Sequence, residues 1–390
     1  MKINYDDLNY YRLQQYIEEN GIGDDDACFC RSGLSFSACC KLNQEAGILE
    51  SLRLQELISH KLKASSRQTQ DECLISTCKE KAIMSHAIQK NGYLDQLSKN
   101  EHLYVFTKAF NQGKYYVRDS KLSMNIATTF NGFCNYHDTK VFLDIEVYKG
   151  EEFIINRLIA HSYRSIAYKY RCILNELDLI EGEHFSNFPL LYHNEIYDPD
   201  YIVYQAYLIS HYHTLRQHQI YFKETLYELE KCFDMTNATW MSHDQLTFSD
   251  VLKVKGTRNP LVFFCSEVVN TNGLFMEKNP EKKAFEIITL MVLPDQNGDY
   301  NSVFLSSYGK HSELIDYFNH ASDQVRLNMI NNIILSHLNE LFLSEKQMTV
   351  IRSSENYYVI EERLLDEIRI DINNFDLEVL SKEALINFFE

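Results

Sequence analysis

Four cysteines fall within thirteen residues of one short stretch, Cys28-Phe-Cys30 and then Cys39-Cys40 in CFCRSGLSFSACC. Few protein loops can carry that many soft ligands without being organised around an ion. Zinc imposes no geometry of its own from d-electrons and accepts a tetrahedron of four thiolates, so the spacing predicts a closed structural zinc site. Ser32 and Gly33 permit a tight turn after the first pair, and Phe36 offers one apolar side chain to cover the ion. With all four positions taken by sulfur, such a site would stiffen a chain and leave no coordination position for chemistry.

A second set follows downstream. Cys73-x4-Cys78 is answered, after a spacer of 55 residues, by Cys134-x2-His137. Three thiolates and an imidazole form a common structural zinc set, and the spacer contains HLYVF and KYYV, which are strand-like and can fold as a ribbon returning the two halves to one ion. Unrelated core thiols are the alternative. The expectation is therefore two structural Zn2+ sites. The ten cysteines sit in a chain of 390 residues whose start, MKINYDDLNYYRLQQ, lacks the basic and apolar character of a signal peptide, and no apolar run is long enough to span a bilayer. A cytoplasmic, reducing setting follows as the expectation, and metal ligation is favoured there over disulfides.

Length and a hydrophobic content of 45% allow two or more domains with real cores. The pattern reads as a multidomain α+β protein. Residues 1–42 hold a short helix and the first knuckle. Residues 43–150 begin with a helix over 43–63 and hold the second metal set. Residues 151–235 read as a long helical hairpin, with Ile155, Ile159, Ile166, Tyr170, Ile173 and Leu177 in one stripe. Leu208, Tyr212, Leu215, Phe222, Leu226, Leu229 and Phe233 form the other. Residues 236–390 form an acidic domain of antiparallel sheet and helix. LVFFCSEVV, FEIITLMVL and SVFLSS are its strands, Asn297-Gly298 turns the last two, helix returns over 311–345, and a peripheral helical tail starts at Glu361.

Two family resemblances attach to the metal sets. Cys28, Cys30, Ser32, Gly33, Phe36, Cys39 and Cys40 resemble the SEC-C motif, with Arg31 where that family usually has glycine. The resemblance implies an add-on zinc module that contacts other proteins or ribosomes. Residues 70–145 resemble the HNH endonucleases, a treble-clef zinc domain. Cys73 and Cys78 match the first pair, His86 and Ile88 the His-x-Ile strand end, Asn131 the family's Asn, and Cys134, His137 and Lys140 the second knuckle. This resemblance implies metal-assisted phosphodiester cleavage, with His86 taking a proton from water and Asp138 and Asn131 beside a catalytic Mg2+ or Mn2+. Ser85 stands where the family places an acidic residue or His, and Asp138 where a His or Asn is usual. For His86 the plainer role is a hydrogen bond across the ribbon.

The net charge of −17 is unevenly spread: residues 41–140 carry +4, while residues 141–390 carry −17. The middle segment tolerates a nucleic-acid partner and the acidic remainder suits a basic protein. Two functions from different classes stay open. One is an HNH-like endonuclease, suited to a bacterial defence or conflict role. The other is a non-catalytic zinc-stabilised adaptor. The histidines at 193, 211, 213 and 218 read as a polar helix face, and Cys172, Cys232 and Cys265 as core thiols. Absence of a phosphate loop, a dinucleotide fingerprint or a nucleophile elbow excludes the commonest nucleotide-dependent and hydrolase classes.

Overall fold

Apolar residues that run without alternation need cover on both faces, and residues 261–270, 285–294 and 300–308 receive it. The computed structural model describes residues 21–26, 35–38, 72–111, 114–147, 154–180, 199–242, 244–255, 261–270, 285–295, 299–309, 313–365 and 377–389. The short N-terminal helix and the helix expected over 43–63 lie outside them. The chain divides into two compact units, Met1–Thr69 with Cys172–Ile220, and Gln70–Arg171 with Tyr221–Glu390. In the first unit Phe36 is buried and its N–H donates to the Asp26 carbonyl at 2.8 Å.

The second unit begins with β1 (Met84–His86), a π turn over Lys90–Leu94, β2 (His102–Asn111), β3 (Lys114–Ser123) and β4 (Thr129–Asn131). Two short helices follow, α1 (Asn135–Val141) and α2 (Leu143–Val147), then the long α3 (Ile155–Leu179) and α4 (Pro199–Glu230). Next come β5 (Phe233–Asp234), β6 (Thr239–Trp240), β7 (Leu246–Phe248), β8 (Leu252–Lys255), β9 (Leu261–Asn270), β10 (Phe285–Pro294) and β11 (Tyr300–Tyr308). The chain ends with α5 (Glu313–His320), α6 (Asp323–Ser336), β12 (Leu341–Leu343), α7 (Glu345–Ser353), α8 (Tyr357–Leu365) and α9 (Leu377–Leu380). No described helix is long and apolar enough to cross a membrane.

Mixed helix and sheet make this an α+β fold. An antiparallel sheet of eight strands runs β3-β2-β12-β9-β10-β11-β7, with β8 also on β11. β1 pairs with β4 in a separate ribbon. Strands β2 and β3 come from one side of the boundary drawn at residue 150 and β9 to β11 from the other, so the sequence segments 43–150 and 236–390 share one sheet. The hairpin cannot bury its faces alone, and three residues of β12 supply the seam. Nor do α3 and α4 stand apart as a hairpin domain, since each is divided between the two units.

Both faces of the sheet are covered. Leu261, Phe263 and Cys265 of β9 face a core built with Leu314, Phe318, Ile330, Ile334 and Ile360 from α5, α6 and α8. The alternate residues meet α3: Tyr168 packs edge-on to Phe264 at 5.1 Å, Ser165 bonds Ser266 at 2.8 Å, and Ser162 bonds Ser306 at 2.8 Å. Ile155, expected in the buried stripe, is exposed in the first turn of α3. Phe233 likewise leaves the helical stripe and lies on β5. Leu341–Leu343, expected as helix, is a strand. The tail is not peripheral, because Ile386, Phe388 and Phe389 enter the core and Gln347 donates to the Phe388 carbonyl.

A buried charged group crosses these layers. Lys169 of α3 and His337, just after α6, converge on Glu267 of β9, His337 Nε2 lying 3.5 Å from Oε1, with Glu340 buried nearby. Burial alone would raise the Glu267 carboxyl, yet Lys169 and His337 hold it well below the usual range. Burial pulls His337 down, but its bond to Glu267 and the surrounding carboxylates leave it raised above 6.5. Burial raises Glu340 above 4.5, against Lys169 and His337. Raised groups lend stability that is full below their unfolded values and is lost as pH rises through the folded ones. The depressed Glu267 lends stability lost as pH falls below 4.5. Thermal melts should therefore fall off below 4.5, as Glu267 takes up a proton, and decline toward alkaline pH, as His337 gives one up. A melting temperature that climbs steadily from neutral to alkaline pH would contradict this assignment.

Candidate metal centre

Cys73 and Cys78 lie on a loop closed by its own backbone. Glu72 and Lys81 form an antiparallel bridge, the Cys73 N–H donates to the Glu80 carbonyl at 2.9 Å, and the Cys78 N–H to the Ile75 carbonyl at 2.9 Å. The other two residues sit where β4 gives way to α1. Cys134 takes the extended N-cap position, and His137 follows within the first helical turn, a spacing of three that puts both on one side. Gly132 makes the approach possible, because a Cβ there would lie 2.3 Å from the Phe130 ring. Its carbonyl accepts from the Leu74 N–H at 2.8 Å, tying the loop to the ribbon.

The result is a cluster of Cys73, Cys78, Cys134 and His137 with all ligand atoms within 4.8 Å of one another. His137 Nδ1 lies 3.4 Å from Cys73 Sγ and 3.3 Å from Cys134 Sγ, while Cys78 Sγ and Cys134 Sγ are 3.9 Å apart. A zinc tetrahedron with ordinary bond lengths requires about 3.5 Å between sulfur and nitrogen and about 3.8 Å between sulfurs. The residues fit the ion. Burial pushes the Cys73 thiol up to about 12, with the neighbouring Cys134 and Cys78 adding to the effect. Burial also lowers His137, which keeps the imidazole neutral as a ligand must be.

The centre is sewn to the rest of its unit. Trp240 donates to the Val141 carbonyl at the end of α1 at 2.9 Å, and Arg171 of α3 to the Glu72 carbonyl at 3.0 Å. Tyr163, fully buried, packs 4.9 Å from Trp240 and 6.0 Å from Phe133. The last residue of α4, Glu230, accepts from Ser76 in the middle of the cysteine loop.

The residues expected to be catalytic, His86, Asn131 and Asp138, lie on β1, β4 and α1. His86 lies on β1, with Nε2 3.2 Å from the carbonyl of Met124, which follows β3. Burial lowers its pKa, the carbonyl opposes that, and Arg164 and Lys90 add to the lowering. Asn131 shares its face of the ribbon, since His86 pairs with Thr129 and Met84 with Asn131. Ser85 points to the opposite face and is buried. Asp138 on α1 is held by Arg164 of α3, Oδ1 to Nη2 at 3.3 Å, and Arg164 also pairs with Glu146 and lies over the Phe142 ring at 4.5 Å. Arg164 is only 2% exposed. In sequence, a lone arginine in a helical stripe looks like part of a solvated face, which hides this one.

A cavity of about 470 Å³ lies elsewhere, lined by Tyr221, Glu224, Glu228, Gln245, Tyr308 and Gly309 among others, with none of His86, Asn131 or Asp138 in its wall. Cys28, Cys30, Cys39 and Cys40 fall outside the described residues. Fold and site together define an α+β protein with a Cys3His centre able to hold a metal ion such as zinc. No family model, curated protein or solved structure matches the chain.

Proposed function

We propose that the protein is a zinc-stabilised, non-catalytic interaction module. The observation that carries this reading is the engagement of Asp138 by the buried Arg164, which commits the carboxylate to neutralising an interior cation. The His86 contact to a backbone carbonyl and the inward turn of Ser85 support it further. Cys73, Cys78, Cys134 and His137 would hold Zn2+, and the bound ion would crosslink loop, ribbon and helix. The acidic stretch from residue 141 suits a basic protein partner.

An HNH-like endonuclease is the second reading. It is favoured by the order of cysteine loop, two-stranded ribbon and Cys134/His137 helix, a treble-clef-like arrangement, and by His86 and Asn131 lying on one ribbon face. Incubation of the zinc-loaded protein with Mg2+ or Mn2+ and single- or double-stranded DNA or RNA separates the two. Equal background cleavage by wild type and His86→Ala is expected. Turnover by the wild type that His86→Ala abolishes would replace the adaptor reading with the nuclease.

A further inference from the structure

We infer that Glu230 is a positioning residue for the metal centre, setting zinc affinity through Ser76; the inference rests on the zinc reading of the Cys3His cluster. Glu230 closes α4 and reaches a loop 154 residues away in sequence. Its Oε2 accepts from the Ser76 hydroxyl at 2.6 Å and from the Ser76 N–H at 3.0 Å, while Oε1 accepts from the Tyr163 hydroxyl at 3.2 Å. Ser76 lies between the two ligands Cys73 and Cys78, so one carboxylate grips backbone and side chain of the segment that spaces them.

Placement argues for a purpose. The last turn of a helix carries the negative end of its dipole, which disfavours a carboxylate there. Burial disfavours it again. Bonds from Ser76 of the cysteine loop and from Tyr163 of α3 offset part of these penalties. A carboxylate that holds the spacer between two ligands in its ligating shape removes part of the ordering cost of metal binding. Linkage makes the effect reciprocal: zinc in the centre also tightens the end of α4.

Chelator competition on the full chain measures the effect directly. Glu230→Ala should weaken zinc binding by about 10-fold, the lower end of what hydrogen bonds to the ligands themselves contribute, and Glu230→Gln, which keeps one acceptor, should fall between it and wild type. Ser76 is exposed, so Ser76→Ala removes the hydroxyl half of the contact without threatening the fold, the N–H bond remaining, and should give a smaller loss. The double variant should be no weaker than Glu230→Ala alone. Cobalt substitution should give the same tetrahedral thiolate spectrum in every variant, because the ligands themselves are unchanged. Wild type that binds no zinc would remove the metal reading itself. Tight binding by wild type with unchanged affinity in both Glu230→Ala and Ser76→Ala would leave that reading standing and overturn this inference alone.

Discussion

Cys134→Ser is expected to lose one equivalent of zinc relative to wild type and to unfold the ribbon and helix around the centre. Cys134 occupies the junction where β4 becomes α1, and its sulfur lies against both His137 and Cys78. Removing that thiolate leaves three ligands from two separate segments, and the apparent binding free energy of structural zinc, on the order of 10 kcal/mol, is largely folding free energy. The loss should reach beyond the ion, since Trp240 and Arg171 are bonded to backbone that the metal orders. Elemental analysis and amide exchange over residues 72–147 check it. Zinc content equal to wild type, with unchanged protection, would show that these four residues are a cluster of core thiols and an imidazole.

Arg164→Ala should be the most destabilising single change that leaves the zinc ligands intact. The guanidinium is buried, paired with Asp138 and Glu146, and stacked on Phe142. Truncation strands two carboxylates and opens a void beside Phe142. Breaking a buried pair costs about 3 to 5 kcal/mol, and the partial exposure of both carboxylates sets the expectation at about 3. For a unit of this size that is a fall in melting temperature of about 5 °C. Arg164→Lys keeps the charge but not the two-pronged grip, and should lie between. Zinc stoichiometry should stay unchanged, which separates this effect from the first. A melting temperature within a degree or two of wild type would show that Asp138 does not depend on Arg164 and would reopen its candidacy for chemistry.

The legible parts of this chain were those carried by local pattern. The apolar runs of β9 to β11 announce strands, and Asn297-Gly298 lies between β10 and β11, whose register closes at Pro294 opposite Asn301. The spacing of Cys73, Cys78, Cys134 and His137 was enough to group four ligands across a 55-residue spacer, because soft donors at short intervals have few other uses. What escaped depends on distant neighbours. Arg164 earns its burial from Asp138, Glu146 and Phe142, none of which its own helix reveals. Three residues of β12 are too few for a periodic signal and look like the end of the preceding helix. Phe388 and Phe389 follow an acidic stretch that suggested a surface tail, yet Asn331 and Gln347 satisfy the backbone of Phe388 inside the core.

The seam made by β12 has a consequence for biosynthesis. Hairpin β2–β3 is complete once residue 123 has emerged, but the strand that covers its inner edge is encoded more than 200 residues later, at Leu341–Leu343. At ordinary translation speeds the nascent chain carries that open edge for about 10 to 40 s. Charged residues on the outer strand, Arg118, Asp119 and Lys121 among them, blunt self-association from that side during the wait. The inner edge at Tyr104 stays unpaired until Leu341–Leu343, about fifty residues from the end, are made, so a chain released early would expose it to any other strand in the cell.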